Sequence, residues 1–473
     1  MHPVNQQKKY YNSQGRLPSV NFSEDPAVVP PVSPKNSPKM ITDTTLRDGA
    51  QDPRFALLPN ETKLKYVDLL HKLDNGAGRI EAVEVFIYQK RDLWTLEKLL
   101  ARGYDYPQIT TWTRATPKDI KLLVEVGNGR IKETGMLASS SDHHIFDKLG
   151  FRTKQEAVEK YLVPILTACE HGIRPRVHLE DVTKADIEGW VIPFIQRTLR
   201  ETEGLARFRL CDTLGIGVPD PWAEAPQGVP RLVSRIAQAT GAELEFHGHN
   251  DFGLAAANCM AAFRFGSKRV NVTIAGLGER TGNAALEQVV ANYVRCFGDP
   301  GFNLEALREM EELICSEVTP IQEKMPVIGK GIFATQAGLH QTGMQRQQNA
   351  EGGLIYLPFD PALLGRPGVE LNRIGALSGM DGLVAILNRQ WEAATGEKNR
   401  FSLTSKVVKQ VYDRIHDSFD GIYDPHTDRY SEYRTSFWEP QELLDLARQV
   451  LSDTGVSRTA ESVSQHRSEV QPK

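Results

Sequence analysis

Short apolar segments alternate with amphipathic segments from residue 40 to about residue 300. The apolar segment 40–44 predicts a first strand, and the amphipathic segment 61–73 predicts the helix that follows it. The same pattern predicts further strands at 80–87, 108–112, 131–138, 174–179, 208–212, 243–249 and 269–274, and longer helices at 92–102 and 184–203. Repeated strand-then-helix units of this number predict an α/β fold, the (β/α)8 barrel. The sequence does not favour a doubly wound sheet, which would need fewer units and a Gly-rich first turn that is absent here.

The flanking segments set the expected domain organisation. Residues 1–38 are rich in Pro, Ser, Asn and Gln, and residues 455–473 have few large apolar groups. Neither segment can bury enough surface to offset its ordering entropy, so both are predicted to be disordered tails. We therefore expect a barrel domain at 39–300 and a second, mostly helical subdomain at 301–454.

Composition excludes several classes of function. The 473 residues are 40% hydrophobic and 25% charged, with a net charge of −4 and no long basic run, so neither nucleic acid nor a membrane is an expected partner. No apolar run approaches the roughly 20 residues of a membrane span, and no signal-peptide core is present at the N-terminus. The five cysteines are scattered without a CxxC pair, which favours a reduced, cytoplasmic protein.

Polar residues follow nearly every predicted strand. In (β/α)8 barrels the active site lies where strands end and the following loops begin, so these residues share one rim. Two of them, His247 and His249, are two residues apart on one strand and therefore point the same way. A pair of neutral imidazoles forms half of a divalent-metal site, which oxygen ligands complete.

Three motifs then identify a family. Asp-Thr-Thr-Leu-Arg-Asp-Gly at 43–49, His-Gly-His-Asn-Asp at 247–251 and Gly-Glu-Arg-Thr-Gly-Asn at 278–283 resemble the DRE-TIM metallolyase superfamily over residues 40 to about 390. The resemblance implies that Asp48, His247 and His249 hold a divalent metal, with an added amide oxygen from Asn283. Mn2+ and Co2+ are the first candidates, and Mg2+ is the alternative.

The resemblance also implies roles at the substrate. Arg47 stabilises the enolate or alkoxide oxygen, Thr213 binds the carboxylate of a 2-oxo acid, and His144 lies near that acid, with its neighbour His143 as the alternative. The expected acceptor-binding set is Gln51, Glu84, His144, Arg176, Glu180, Arg209 and Thr213. Two alternatives to a role at the substrate remain open. Glu84 and Glu180 could be salt-bridge partners inside the barrel. Three aspartates at the rim could cap the helices that follow them, namely Asp142, Asp181 and Asp251.

Strand parity argues for a dianionic acceptor. Arg176 shares a strand face with Glu180, and Arg209 shares one with Thr213, so both arginines are expected to point into the barrel. Glu245, on the face of the two histidines, is expected to pair with one of them, since a buried guanidinium needs a partner. The other arginine, or Arg54 from the loop after the first strand, would then bind the second anionic group of the acceptor.

The segment after the barrel selects the branch of the superfamily. Residues 333–343, 356–361 and 374–379 resemble the subdomain of isopropylmalate and homocitrate synthases that binds acetyl-CoA and reaches over a barrel mouth. There His340 and Tyr356 match residues with acid/base roles at the acetyl group, whereas a buried core histidine is the alternative for His340. The resemblance further implies a homodimer, because this subdomain often completes the site of a neighbouring subunit.

Residues 132–137, 141–146, 174–181 and 209–213 resemble Re-citrate synthases in particular. The expected reaction is a Claisen condensation of acetyl-CoA with a short dianionic 2-oxo acid such as oxaloacetate. The loop at 50–56 differs from that of Re-citrate synthases. The synthases of 2-phosphonomethylmalate and 2-phosphinomethylmalate are therefore the alternative, since a phosphorus acid can replace a carboxylate of the acceptor. Homocitrate or citramalate synthases, a retro-aldol lyase and a non-catalytic barrel are the remaining alternatives.

Overall fold

The computed structural model describes residues 38–56, 58–347 and 356–454. Apart from residue 38, the two predicted disordered tails lie outside these ranges. Among the described residues, no helix combines the length and the apolar character that crossing a bilayer requires.

Eight parallel strands close into a barrel in chain order, because β1 pairs with both β2 and β8. This confirms the predicted (β/α)8 fold. The strands are β1 (Met40–Asp43), β2 (Ile80–Val85), β3 (Gln108–Thr113), β4 (Glu133–Ser139), β5 (Arg174–Glu180), β6 (Arg207–Asp212), β7 (Leu244–Gly248) and β8 (Arg269–Val272). The register places His178 opposite Arg209 and Arg209 opposite Glu245, so the inward side chains of three strands meet in one layer.

Helices alternate with the strands and cover the barrel. They are α1 (Pro53–Ala56), α2 (Asn60–Asp74), α3 (Lys90–Leu100), α4 (Pro117–Gly127), α5 (Lys154–Glu170), α6 (Ile192–Glu201), α7 (Val229–Thr240), α8 (Ala255–Arg264), α9 (Leu286–Phe297) and α10 (Glu305–Glu317). Local signals explain where several begin: the Thr116 and Thr153 hydroxyls accept hydrogen bonds from the first turns of α4 and α5.

The prediction of one long helix at 184–203 is wrong, because the structure has three shorter helical segments there. A 3-10 turn at Val182–Lys184 and a π-helical turn at Ile187–Val191 precede α6. Asp186 causes the break. Its backbone is extended and its side chain accepts a hydrogen bond of 2.9 Å from the Gly189 N–H, which starts a new helical turn.

The two compact units divide between Gly329 and Lys330, about thirty residues after the expected boundary at 300. The reason lies in α10, which packs against α2 as part of the barrel unit. Its inner face is apolar, and Leu307 and Met310 are fully buried. Burial of such residues stabilises α10 on the barrel, so the second unit starts only after it.

The second unit is mostly helical, as expected. It contains α11 (Gly338–Gln347), α12 (Met380–Thr395), α13 (Lys406–Asp420), α14 (Pro440–Asp453) and the hairpin strands β9 (Ile422–Asp424) and β10 (Arg429–Ser431). Its core lies between α12, α13 and α14, where Leu383, Leu387, Val408, Val411 and Leu443 are all fully buried.

Candidate metal centre and barrel mouth

Strand β7 carries His247 and His249 on the same side, as its alternation predicts. Both Nε2 atoms face Asp48 on the turn after β1, with distances to Asp48 Oδ2 of 3.5 Å from His247 and 4.0 Å from His249. One ligand atom from each of the three residues lies within 4.8 Å of the other two, and all three residues are buried. The chain thus brings two nitrogens and a carboxylate to one point from residues about 200 apart.

The hydrogen bonds of the imidazoles leave both Nε2 atoms available. His249 Nδ1 lies 3.2 Å from the carbonyl oxygen of Gly282, which only accepts, so the proton of His249 is on Nδ1. His247 Nδ1 lies 2.8 Å from Asn271 Oδ1. Each Nε2 therefore presents its lone pair toward the Asp48 carboxylate.

The charges of the three residues also suit a cation. Burial lowers the pKa of His247 to about 3 and lowers the pKa of His249, so both imidazoles are neutral at neutral pH. Burial alone would raise the pKa of Asp48, but the Arg47 guanidinium beside it holds that pKa below its usual value. Neutral imidazole and ionised carboxylate are the states in which these groups bind metals.

Two buried oxygens test whether a metal fits here. Asp48 Oδ2 and Asn283 Oδ1 have no hydrogen-bond donor among the described residues. Asn283 Nδ2 donates to the carbonyl of Leu277 at 3.0 Å, which leaves Oδ1 as the open acceptor of that amide. Buried acceptors without partners are costly, and a divalent cation would satisfy both. The residues present therefore fit a metal bound by two nitrogens and two oxygens.

Arg47 lies next to this centre. Its Nη1 is 2.9 Å from Asp48 Oδ1 and its Nε is 2.9 Å from Glu84 Oε2. Among the described residues, Nη2 of Arg47 makes no hydrogen bond. The Thr44 hydroxyl holds the same Glu84 oxygen at 2.8 Å, so the orientation of the guanidinium is set by a buried carboxylate on β2.

Below the mouth, Arg176 and Arg209 point inward as strand parity predicts, but both are bound to carboxylates. Both arginines pair with Glu84, and Arg209 Nη2 lies 2.7 Å from Glu84 Oε1. Arg176 further pairs with Glu133, and Arg209 with Glu245 at 2.9 Å. Arg176 is 1% exposed, and Arg209 and Glu84 are 0% exposed. Arg176, Arg209 and Glu84 were expected to contact the acceptor. The structure instead places these three side chains in a salt-bridge network inside the barrel.

Glu180 and His144 meet at the rim. Glu180 accepts hydrogen bonds from His144 Nδ1 at 3.1 Å and from Lys148 Nζ at 2.7 Å, and it also accepts one from the Ser139 hydroxyl. Burial raises the pKa of Glu180, but these three donors outweigh it and bring the pKa to about 2. His143 instead pairs with Asp147 on the half-exposed turn, so His144 is the histidine of the doublet that faces the strand ends.

The remaining expected acceptor residues lie on different elements of the barrel. The Thr213 hydroxyl oxygen accepts a 2.8 Å hydrogen bond from the Asp181 N–H at the ends of β5 and β6. Gln51 is exposed at the end of the 3-10 turn Gly49–Gln51. Arg54 belongs to α1, and its side chain lies outside the described part of the structure.

The capping role considered for three aspartates is wrong. Asp142 pairs with Lys154 at 2.7 Å, Asp181 pairs with Lys184 at 3.0 Å, and Asp251 pairs with Arg280 at 2.9 Å. The N-terminal turn of α8 is held instead by Asn250, whose Oδ1 accepts from the Ala255 N–H at 3.2 Å.

Sequence reasoning missed Asn271, which contacts a metal ligand candidate. The register pairs it directly with His247 across β7 and β8. The available signal was a polar residue between two valines, Val270 and Val272, shortly before a Gly-rich loop. Strand pairing was needed to use it, because only the register decides which side chain lies beside the histidine.

In the second unit, the rings of His340 and Tyr356 stack with centroids 4.4 Å apart and planes at 28°. Tyr356 is 45% exposed, and His340 is also exposed, so the alternative of a core histidine is wrong. His340 Nδ1 lies 3.4 Å from the Thr335 hydroxyl. The next residue, Gln341, is fully buried and bonds the main chain at Thr335, Arg373 and Gly379, which anchors the turn that carries His340.

Known proteins resemble this chain over the barrel unit and beyond it. The sequence model of the HMGL-like family matches residues 39–314. The citrate (Re)-synthase of Clostridium kluyveri is 37% identical over 370 residues, which are 76% of this chain and 78% of that protein. The 2-phosphinomethylmalate synthase of Streptomyces hygroscopicus is 35% identical over 363 residues, 74% of this chain and 79% of that protein. A crystal structure of hydroxymethylglutaryl-CoA lyase from Pseudomonas aeruginosa covers 59% of this chain and 93% of its own, with 22% identity and a TM-score of 0.47.

Proposed function

The chain belongs to the HMGL-like family, and we propose that it is a condensing synthase that joins acetyl-CoA to a short dianionic 2-oxo acid and releases CoA. The observation that carries this proposal is the convergence of His247 and His249, both with free Nε2 atoms, on an Asp48 oxygen that has no donor. Asp48, His247, His249 and Asn283 would hold a divalent metal. When bound, that ion supplies Lewis-acid polarisation of the acceptor ketone.

Arg47 supplies the positive charge for the reaction. During attack on the ketone carbon, negative charge moves onto the ketone oxygen, and a fixed donor beside that oxygen stabilises the transition state more than the ground state. Nε and Nη1 of Arg47 are held by Glu84 and Asp48, while Nη2 is left to donate. Because Glu84 is buried and ionised, the guanidinium is oriented before the substrate arrives.

His340 and Tyr356 are proposed to act on the acetyl group. Removal of a proton from the carbon next to the thioester needs a positioned base, and an imidazole titrates near neutral pH. The proton goes to the base, and the carbanion carbon forms the new bond to the ketone carbon. The π electron pair of the ketone moves onto its oxygen, which takes up a proton to become the hydroxyl of the product. Water then cleaves the thioester to give CoA and a carboxylate. The stack between the two rings presents them as one exposed unit.

The relatives support the dianionic acceptor, since the names of two of them denote citrate and 2-phosphinomethylmalate products. The internal arginines do not add to this support, because carboxylates of the barrel already bind them. Oxaloacetate is therefore the first acceptor that we propose, and a phosphono or phosphino analogue of it is the second. We also propose a homodimer as the working form, on the family resemblance alone, and a cytoplasmic location, on the scattered cysteines without a CxxC pair.

A release assay for CoA thiol tests the proposal. Purified protein is stripped of metal, supplied with Mn2+, Co2+ or Mg2+, and given acetyl-CoA with oxaloacetate, phosphonopyruvate or 2-oxoisovalerate at equal concentration. We expect metal-dependent thiol release with one of the first two acids. Full activity without metal, or a preference for 2-oxoisovalerate, would contradict it. Cleavage of 3-hydroxy-3-methylglutaryl-CoA without any condensation would establish the lyase alternative.

A further inference from the structure

A continuous chain of hydrogen bonds joins His247 to Glu245, two residues earlier on the same strand, by way of β8 and β1. His247 Nδ1 contacts Asn271 Oδ1 at 2.8 Å, and Asn271 Nδ2 contacts the Thr42 hydroxyl oxygen, also at 2.8 Å. The Thr42 hydroxyl makes a short hydrogen bond to Glu245 Oε1. Thr42, Glu245 and Asn271 are all exposed by 1% or less, so bulk water does not reach this chain.

The direction of every bond in the chain follows from its last member. Glu245 is ionised, since the Arg209 Nε and Nη2 atoms bind it at 2.9 and 3.1 Å, and a carboxylate only accepts. Thr42 must therefore donate its single proton to Glu245. Its oxygen is then left to accept, which requires the amide of Asn271 to turn its NH2 group toward Thr42 and its Oδ1 toward His247. The imidazole must consequently carry its proton on Nδ1.

We infer that Thr42, Asn271 and Glu245 are positioning residues that set the tautomer of His247 and so keep its Nε2 lone pair directed at the metal centre. This inference rests on the metal site of the proposed function. A carboxylate thus acts on a metal ligand without touching it, through one hydroxyl and one amide. Partners of this kind fix ring orientation and ligand basicity in metal sites.

The opposite tautomer disrupts the chain at every link. A proton on Nε2 would point toward the Asp48 side and would leave two acceptors, His247 Nδ1 and Asn271 Oδ1, facing each other at 2.8 Å. Rotation of the amide would repair that contact, but it would set Oδ1 against the Thr42 oxygen. To donate a hydrogen bond to that Oδ1, Thr42 would have to turn its hydroxyl proton away from Glu245. The Thr42 and Glu245 oxygens would then be in close contact with no proton between them. Because these residues are shielded from bulk water, bulk water does not replace the lost hydrogen bond.

Metal affinity without substrate tests the inference. Thr42→Val keeps the shape and removes the hydroxyl, and it changes no metal ligand. We expect the Kd for Mn2+, measured by calorimetry, to rise about 10–100-fold, and Thr42→Ser to restore it. The matched control is Thr110→Val, a buried strand threonine whose hydroxyl, within the described part of the chain, bonds the Val83 carbonyl alone. Its Kd should equal that of the wild type. Wild-type affinity in Thr42→Val would overturn the inference.

Nitrogen NMR of the metal-free protein, labelled with 15N-histidine, gives a second readout that a merely structural role would not move. In the wild type, we expect His247 to show a protonated Nδ1 and an unprotonated Nε2, with assignment by its loss in His247→Gln. Thr42→Val should give a mixture of tautomers. A protonated Nε2 in the wild type would overturn the inference even if Thr42→Val failed to fold. If the wild type binds no divalent metal, the proposed function fails, whereas the tautomer is still measured.

Discussion

Arg47 Nε lies 2.9 Å from Glu84 Oε2, so a buried carboxylate on the second strand orients the guanidinium that follows the first strand. Burial raises the pKa of Glu84, but the Arg209, Arg176 and Arg47 guanidinium groups around it hold that pKa well below its usual value. Glu84 is therefore an anion at every pH at which the protein is expected to work. The candidate metal centre and the salt-bridge network inside the barrel meet at this contact.

Arg47→Lys is the first prediction. Lysine keeps the charge but cannot bridge Glu84 and Asp48 while donating a further hydrogen bond. We expect kcat to fall about 10²–10³-fold, the range for removal of a donor to a developing oxyanion. The Kd for Mn2+ without substrates should remain that of the wild type, because no metal ligand changes. A variant with normal kcat would show that Arg47 does not act on the ketone oxygen.

Arg176→Met distinguishes the salt-bridge role of Arg176 from substrate binding. Removing this buried cation takes one guanidinium partner from Glu84 and one from Glu133, which keep Arg209 and Arg207 respectively. The buried network then has an excess of negative charge, which should lower the free energy of unfolding by up to about 3–5 kcal/mol. Urea unfolding measures this. The exposed pair Arg235 and Glu188 is the control, and Arg235→Met should cost about 0–1 kcal/mol. If Arg176→Met is as stable as the wild type and raises only the KM for oxaloacetate, Arg176 binds the acceptor after all.

His340→Gln is expected to remove turnover without affecting the metal centre. Loss of a positioned base typically costs about 10²–10⁴-fold in rate. The Kd for Mn2+ should stay unchanged, since the four ligand candidates all belong to the barrel unit. His416→Gln is the control in the same unit, because His416 is half-buried and contacts the main-chain carbonyl of Ser378 and the Tyr412 ring. Weaker metal binding in His340→Gln would instead make His340 a metal ligand.

Glu287→Gln should change how stability depends on pH. Glu287 is fully buried, one oxygen accepts from the Ala275 N–H, and burial raises the pKa of Glu287 to about 7. A raised folded-state pKa contributes stability that is present below the unfolded value of about 4.3 and is lost as the pH rises through 7. The neutral amide avoids this loss.

Urea unfolding at pH 5 and pH 8.5 tests that prediction. Relative to the wild type, Glu287→Gln should gain about 2–3 kcal/mol between the two pH values. Glu188→Gln is the control, because Glu188 is 62% exposed at its side chain and pairs with Arg235 on the surface. A wild-type stability difference between pH 5 and pH 8.5 that persists unchanged in Glu287→Gln would exclude Glu287 as its source.

Much of the fold was predictable because its signals are local. Apolar runs of strand length that alternate with amphipathic helices required only neighbouring residues, and the eight strands observed follow the predicted ones to within a few residues. Alternation within a strand likewise placed His247 and His249 on one side, and it turned Arg176 and Arg209 inward. The three motifs identified Asp48 as the partner of the histidines, although it lies about 200 residues away.

The sequence by itself determined the barrel, the direction of its inward side chains and the composition of the candidate metal centre. Only the tertiary structure decided which charges meet: Glu84, Glu133 and Glu245 bind the two arginines that parity alone could have assigned to a substrate. It also decided that Asn271 lies beside His247. The physical reason is that side-chain direction follows from the two-residue repeat of one strand, whereas partners depend on the register between strands.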